Sequence, residues 1–180
     1  LYSPGNPVED QAILAALTSV QTDPHSGQYV IDPLDRRRGP FDLGNFNKHD
    51  WFVSPFHVDS AMCGTCHDGS NPVFFDEGGG DYSVTALGQP HPTNNKYDEF
   101  PVERTYSEWT QSAFAQGAID MGGRFGGNDP LVSSCQDCHM PKTTGKGCKT
   151  GEVRTNLPMH DFNGGNTWLL KAVRALYPDS

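Results

Sequence analysis

Apolar positions Val8, Ala12, Ile13, Ala16 and Leu17 recur at helical spacing and predict a helix over 6–19, with Asn6 as cap, Pro7 in the first turn and Glu9 closing a capping box. The pattern then dissolves. Residues 22–47 are rich in Pro, Gly and Asp and read as an extended loop, with Arg36-Arg37-Arg38 as a solvated turn. Ser54 and Pro55 predict the cap and first turn of a short helix running into Cys63. Residues 68–104, with Gly78-Gly79-Gly80 and few apolar positions, predict a long surface excursion holding one strand near 82–87. Thr105 and Glu108 form a second capping box, for a helix with Tyr106, Trp109, Ala113 and Phe114 on its apolar side and Gly117 as its stop. Gly122 to Gly127 reads as a flexible hinge. Its GGRFGG lacks both the glycine order and the preceding strand of a nucleotide-binding loop. A last helix over 167–177, capped by Asn166 and ended by Pro178, carries an apolar row of Leu169, Leu170, Val173, Leu176 and Tyr177 that needs a surface to cover. Its place at the end of the chain favours truncation.

Composition sharpens this picture. Only 35% of the 180 residues are hydrophobic, against 20 glycines and 14 prolines, so little aliphatic material is available for a core and something else is expected to fill it. The 22 acidic and 13 basic residues give a net charge of −9, which argues against a nucleic-acid partner. No stretch reaches the roughly 20 apolar residues of a membrane span, so no transmembrane segment is expected. Leu1-Tyr2-Ser3-Pro4 has neither the basic nor the apolar region of a signal peptide. Either a signal has been removed or the chain is a piece of a longer protein.

The chemistry lies in two short phrases, AMCGTCHDGS at 61–70 and CQDCHMP at 135–141. Both hold Cys-x-x-Cys-His, the attachment pattern for c-type haem. Two thiols two residues apart on a turn can add to the two vinyl groups on one porphyrin edge, and the next imidazole then meets the iron. Zinc knuckles usually lie within about 15–20 residues of each other, whereas Cys66 and Cys135 are far more widely separated. A thioredoxin-like pair needs a βαβ context, and disulfides explain neither histidine. The reading is two covalently bound haems, tethered through Cys63, Cys66, Cys135 and Cys138, with His67 and His139 as proximal iron ligands. Two large apolar plates would also make good the thin aliphatic core.

An electron-transfer haem generally has both axial positions filled. His160, in PMHDFNGGN, is the first distal candidate, with Asp161 to orient it and glycines that allow close backbone approach. His57 comes second and His49, beside Asp50 and Trp51, third. His25 and His91, flanked by proline in loops, read as surface or packing residues. Met62, Met140 and Met159 read as packing. Local turn geometry favours exchange, with His57 on the second haem and His160 on the first. Cys148 has no assigned role.

At SPFHVDSAMCGTCHDGSNP, FPVERTYSEWTQSAFAQG, CQDCHMPK and HDFNGGNTWLL the chain resembles bacterial multihaem c-type cytochromes related to hydroxylamine oxidoreductase and its tetrahaem electron acceptor. The resemblance covers roughly 49–177. It implies a mainly α fold with extensive irregular loops, short helices wrapped around closely spaced haems, export to the periplasm or beyond, and electron transfer as the activity. It supports His160, and less directly His57, as distal ligands. Catalytic members carry more haems and a tyrosine crosslink that this chain does not mark, and many relatives continue past the Gly-Gly-Asn helix. The expected organisation is an N-terminal helix and arm over 1–48, then a dihaem domain over 49–180 with one shared haem core. The expected function is a dihaem carrier with bis-histidine irons, serving redox partners that bear a basic docking patch. The alternatives are an oxidoreductase with one open iron acting on a small nitrogen or sulfur compound, and a docking subunit of a membrane-bound electron-transfer complex.

Overall fold

The computed structural model describes residues 7–18, 23–125, 128–160, 171 and 174–176. The chain divides into two compact units, Leu1–Ala115 and Gln116–Ser180, and each contains one Cys-x-x-Cys-His.

In the first unit α1 (Val8–Ala15) starts after Pro7, whose ψ of 150° is extended, and has no side-chain cap. Glu9 and Asp10 lie in its first turn, where carboxylates meet the positive end of the helix dipole. The expected cap Asn6 lies outside the described residues, and the helix closes short of residue 19. Strand β1 (Arg36–Gly39) pairs in parallel with β2 (Asp50–Val53), Arg37 opposite Trp51. The arginine run is therefore a strand, not a solvated turn. Alternation sends Arg36 and Arg38 inward, where Arg36 Nε donates to Asp32 at 2.8 Å and Arg38 Nη2 to Asp10 at 2.6 Å. Arg37 stays at the surface with Asp35.

The single helix expected to lead into Cys63 is two elements. A 3-10 turn, Pro55–Val58, is separated from α2 (Ser60–Gly64) by Asp59, which is extended and accepts a hydrogen bond from Ala61 N at 2.8 Å. An Asp that caps cannot also continue the preceding turn. The expected surface excursion is largely a three-stranded antiparallel sheet, with β3 (Ser70–Gly78) between β4 (Asp81–Val84) and β5 (Glu99–Pro101). Helix α3 (Thr105–Thr110) takes Arg104, not Thr105, as its cap residue, and a 3-10 turn at Ala113–Gln116 follows.

In the second unit β6 (Ile119–Phe125) and β7 (Asp129–Val132) form an antiparallel pair. Residues 122–125 of the expected glycine hinge are thus strand, with Gly122 and Gly123 at φ of 61° and 72° where a side chain would be strained; Gly126 and Gly127 lie outside the described residues. Helix α4 (Cys135–His139) follows, then the antiparallel pair β8 (Lys142–Lys146) and β9 (Val153–Pro158). Lys171 and residues 174–176 are helical; the rest of the expected 167–177 helix lies outside the described residues.

The fold is consequently mixed, with 26% of the described residues helical and 30% strand in several small sheets, which corrects the expectation of a mainly α chain of helices wrapped around haems. Short helices interrupted by capping Asp and Pro leave many backbone groups to pair otherwise, and two- and three-stranded ribbons satisfy them. Among the described residues the buried hydrophobics are Leu14 and Val132, while Ser54, Ser60, Thr65, Asp68, His91, Lys96 and Glu99 are buried polar residues.

Candidate functional site

Positions i, i+3 and i+4 share one face of a helix. In the first unit, α2 extends into a further turn: His67 N donates to Cys63 O at 2.8 Å and Cys66 N to the same oxygen at 3.0 Å. Cys63, Cys66 and His67 accordingly lie along one face, with Cys66 and His67 exposed. The opposite flank is packed, because a Cβ on buried Gly64 would fall 2.8 Å from both Pro24 Cγ and Tyr106 Cγ.

The turn is fixed from behind. Asp68, directly after His67, is fully buried. Its carboxylate accepts from Lys96 Nζ at 2.5 Å, Ser107 N at 3.1 Å and Ser107 Oγ at 2.8 Å. Lys96 also donates to Pro24 O at 2.9 Å. Burial alone would raise the Asp68 pKa, but Lys96 and Ser107 outweigh it and hold the group below the ordinary carboxylate range. Tyr106 N donates to His67 O at 2.9 Å, and Ser26 Oγ donates to Cys66 O at 2.8 Å. Three segments distant in sequence thus grip residues 66–68, two of them through the backbone and Lys96 through the Asp68 side chain. On the exposed side Tyr29 Oη lies 3.4 Å from Cys66 Sγ, and Glu103 Oε1 lies 3.5 Å from His67 Nδ1.

In the second unit α4 carries Cys135, Cys138 and His139 at the same spacing. Ser134 and Asp137 form a reciprocal capping box, Asp137 N donating to Ser134 Oγ at 3.1 Å and Ser134 N to Asp137 Oδ2 at 2.9 Å. Burial would raise Asp137, yet the Ser134 and Ser133 donors keep it low. Burial, then the charges of Asp137 and Cys135, push the Cys138 thiol up. A raised thiol is a poor nucleophile at neutral pH, the opposite of a thioredoxin-type pair. None of the five cysteines, all among the described residues, is in a disulfide.

The distal candidates are distributed between the units. His57 lies on the wall of a cavity of about 800 Å³ in the first unit, with Met62 and Thr65 from α2 and its turn, Leu14 from α1, and Arg36 and Arg38. Its Nδ1 is buried without a hydrogen-bond partner, and burial lowers its pKa. His49, just before β2, is tied to Asp50 O through Nδ1 at 2.9 Å, with its ring 4.8 Å from that of Phe46. His160 is exposed just after β9, and Asp161 and the glycines expected to support it lie outside the described residues. Cys148 is exposed in the loop between β8 and β9.

The two histidines expected in a surface or packing role are packed. His91 is buried, stacked on Phe75 at 5.7 Å, with Thr93 Oγ1 3.1 Å from its Nδ1. The His25 side chain is 12% exposed, 3.9 Å from Glu99. Neither interior position has a local signal, since strands β3 and β5 bring Phe75 and Glu99 from elsewhere. Asp68, Lys96 and Glu103 escape sequence reading for the same reason.

Among the described residues no group of three or more His, Cys, Asp or Glu side chains could hold a metal ion unaided. The donor set of each motif, two thiols and an imidazole on one helical face, fits a macrocycle that supplies the other nitrogens itself. Comparison with protein-family models, with curated proteins and with solved structures finds no match to this chain.

Proposed function

We propose that the protein is a dihaem c-type cytochrome, akin to the multihaem group it resembles, which carries electrons between redox partners outside the cytoplasm. The observation that carries this reading is the repeat of Cys-x-x-Cys-His on one face of a short helical turn, once in each unit. Cys63 with Cys66, and Cys135 with Cys138, would form the thioethers, and His67 and His139 would be the proximal ligands. His57 and His160 are the proposed distal ligands, with His49 the next candidate. The buried, unpartnered Nδ1 of His57 beside a large cavity supports a ligand role more than a packing one, because an orphaned buried nitrogen is a cost to folding unless something pairs with it.

When bound, haem supplies a one-electron iron couple; the polypeptide tethers it, sets its axial field and limits solvent access. The scarcity of buried hydrophobic side chains among the described residues supports a large apolar group in the finished protein. A net charge of −9 favours partners with a basic docking patch, and transfer rates that fall as salt rises. Among the described residues no helix is long and apolar enough to cross a membrane.

The test is an intact mass together with absorption and electron-spin spectra of the oxidised protein from a host that matures c-type cytochromes. Two covalent haems, both low-spin, are expected, and His57→Ala should leave one of them high-spin. A colourless protein with the mass of the bare chain would refute the reading. A rapid spectral change at one haem on adding cyanide or nitrite would move it to an enzyme with an open iron.

A further inference from the structure

Glu103 stands in an unusual relation to His67. Its carboxylate oxygen lies 3.5 Å from Nδ1, and its backbone is pinned to the end of the motif: Glu103 N donates to Gly69 O at 3.1 Å, and Val102 N to the same oxygen at 3.0 Å. Arg104, the next residue, donates through Nη2 to Lys96 O, so residue 103 is held between two anchored neighbours. The two side chains are 50% and 43% exposed, so Glu103 stands beside the imidazole without being part of the packed interior.

An imidazole that coordinates through one nitrogen is tuned by what faces the other, and a carboxylate there raises ligand basicity and fixes the tautomer. Resting on the dihaem reading, we propose that Glu103 is a positioning and potential-setting residue for the first haem, directing His67 Nε2 to the iron and lowering the reduction potential of that haem. In the second unit, the nearest acidic side chain in sequence, Asp137, is engaged by Ser133 and Ser134.

The experiment is Glu103→Gln in the full chain, with both haem potentials measured by spectroelectrochemistry at one pH. Gln keeps an acceptor near Nδ1 and removes the charge. The expected result is a shift of one haem's reduction equilibrium toward the reduced form by about tenfold, about 59 mV for a one-electron couple, with the other haem unmoved and the low-spin spectrum retained. The shift should vanish when Glu103→Gln is combined with Cys63→Ser and Cys66→Ser. Unmoved potentials with both haems attached would overturn the inference alone, as would equal shifts of both haems. A protein that carries no covalent haem would remove the dihaem reading and this inference with it. If Glu103→Gln does not accumulate, Glu103→Asp serves: a smaller shift of the same sign supports the role, and none overturns it.

Discussion

The Asp68 carboxylate and the Lys96 ammonium meet at 2.5 Å beneath the turn that ends in His67, and both are shielded from solvent. Breaking one partner of such a pair leaves a buried charge uncompensated, which costs about 3–5 kcal/mol. Asp68→Asn and Lys96→Met are each expected to lower the unfolding free energy from urea titration by that order, and the double substitution by less than their sum. Additive losses in a double-mutant cycle would show that the two groups are not coupled.

Gly64 occupies the position after Cys63 for a steric reason. A methyl group there would run into Pro24 and Tyr106, and overpacking of this kind costs about 1–3 kcal/mol. Gly64→Ala should reduce thermal stability and, on the dihaem proposal, the yield of haem-loaded protein, whereas Gln136→Ala, at the equivalent place in the second motif, should leave yield unchanged. Equal behaviour of the two variants would contradict the packing argument.

The second motif depends on its cap. Ser134→Ala removes the acceptor for Asp137 N and is expected to cost about 1 kcal/mol. Ser134→Asn, another good cap, should restore most of it. Denaturant titration of the three proteins checks this.

His25 gives a signed pH effect. Burial lowers its pKa below 6.5, with Glu99 opposing that shift. The unfolded chain therefore binds a proton more readily, so the contribution is intact above about pH 6.5 and is lost as pH falls from there toward the lowered folded value. Unfolding free energies at pH 7.5, 6 and 5 should fall more steeply in the parent than in His25→Gln. Parallel slopes would rule out His25 as the source.

The two Cys-x-x-Cys-His turns were legible because their residues are neighbours in sequence, and i, i+3, i+4 spacing alone sets them on one helical face. Strands were not. Each antiparallel ladder has a register shift, between Asn71 and Phe75 and between Asp76 and Gly78 in β3, between Asp120 and Phe125 in β6, and between Thr143 and Gly145 in β8. A bulge breaks the two-residue alternation that marks a strand, so the glycines from 122 onward looked like a hinge. The capping signals at 105 and 108 located α3 but misplaced its cap by one residue. The partners of His67 and Asp68 are set by tertiary contact with residues 103, 96 and 107, and no pattern in the neighbourhood of the motif announces them.

Because Arg38 reaches back to Asp10, α1 is moored to strand β1 by charge across 27 intervening positions. Both side chains are largely shielded, at 13% and 17% exposed, so electrolyte reaches this mooring poorly. Neutralising it is the sharper lever: amide exchange along Val8–Ala15 should quicken in Arg38→Met and hardly respond to ionic strength in the parent.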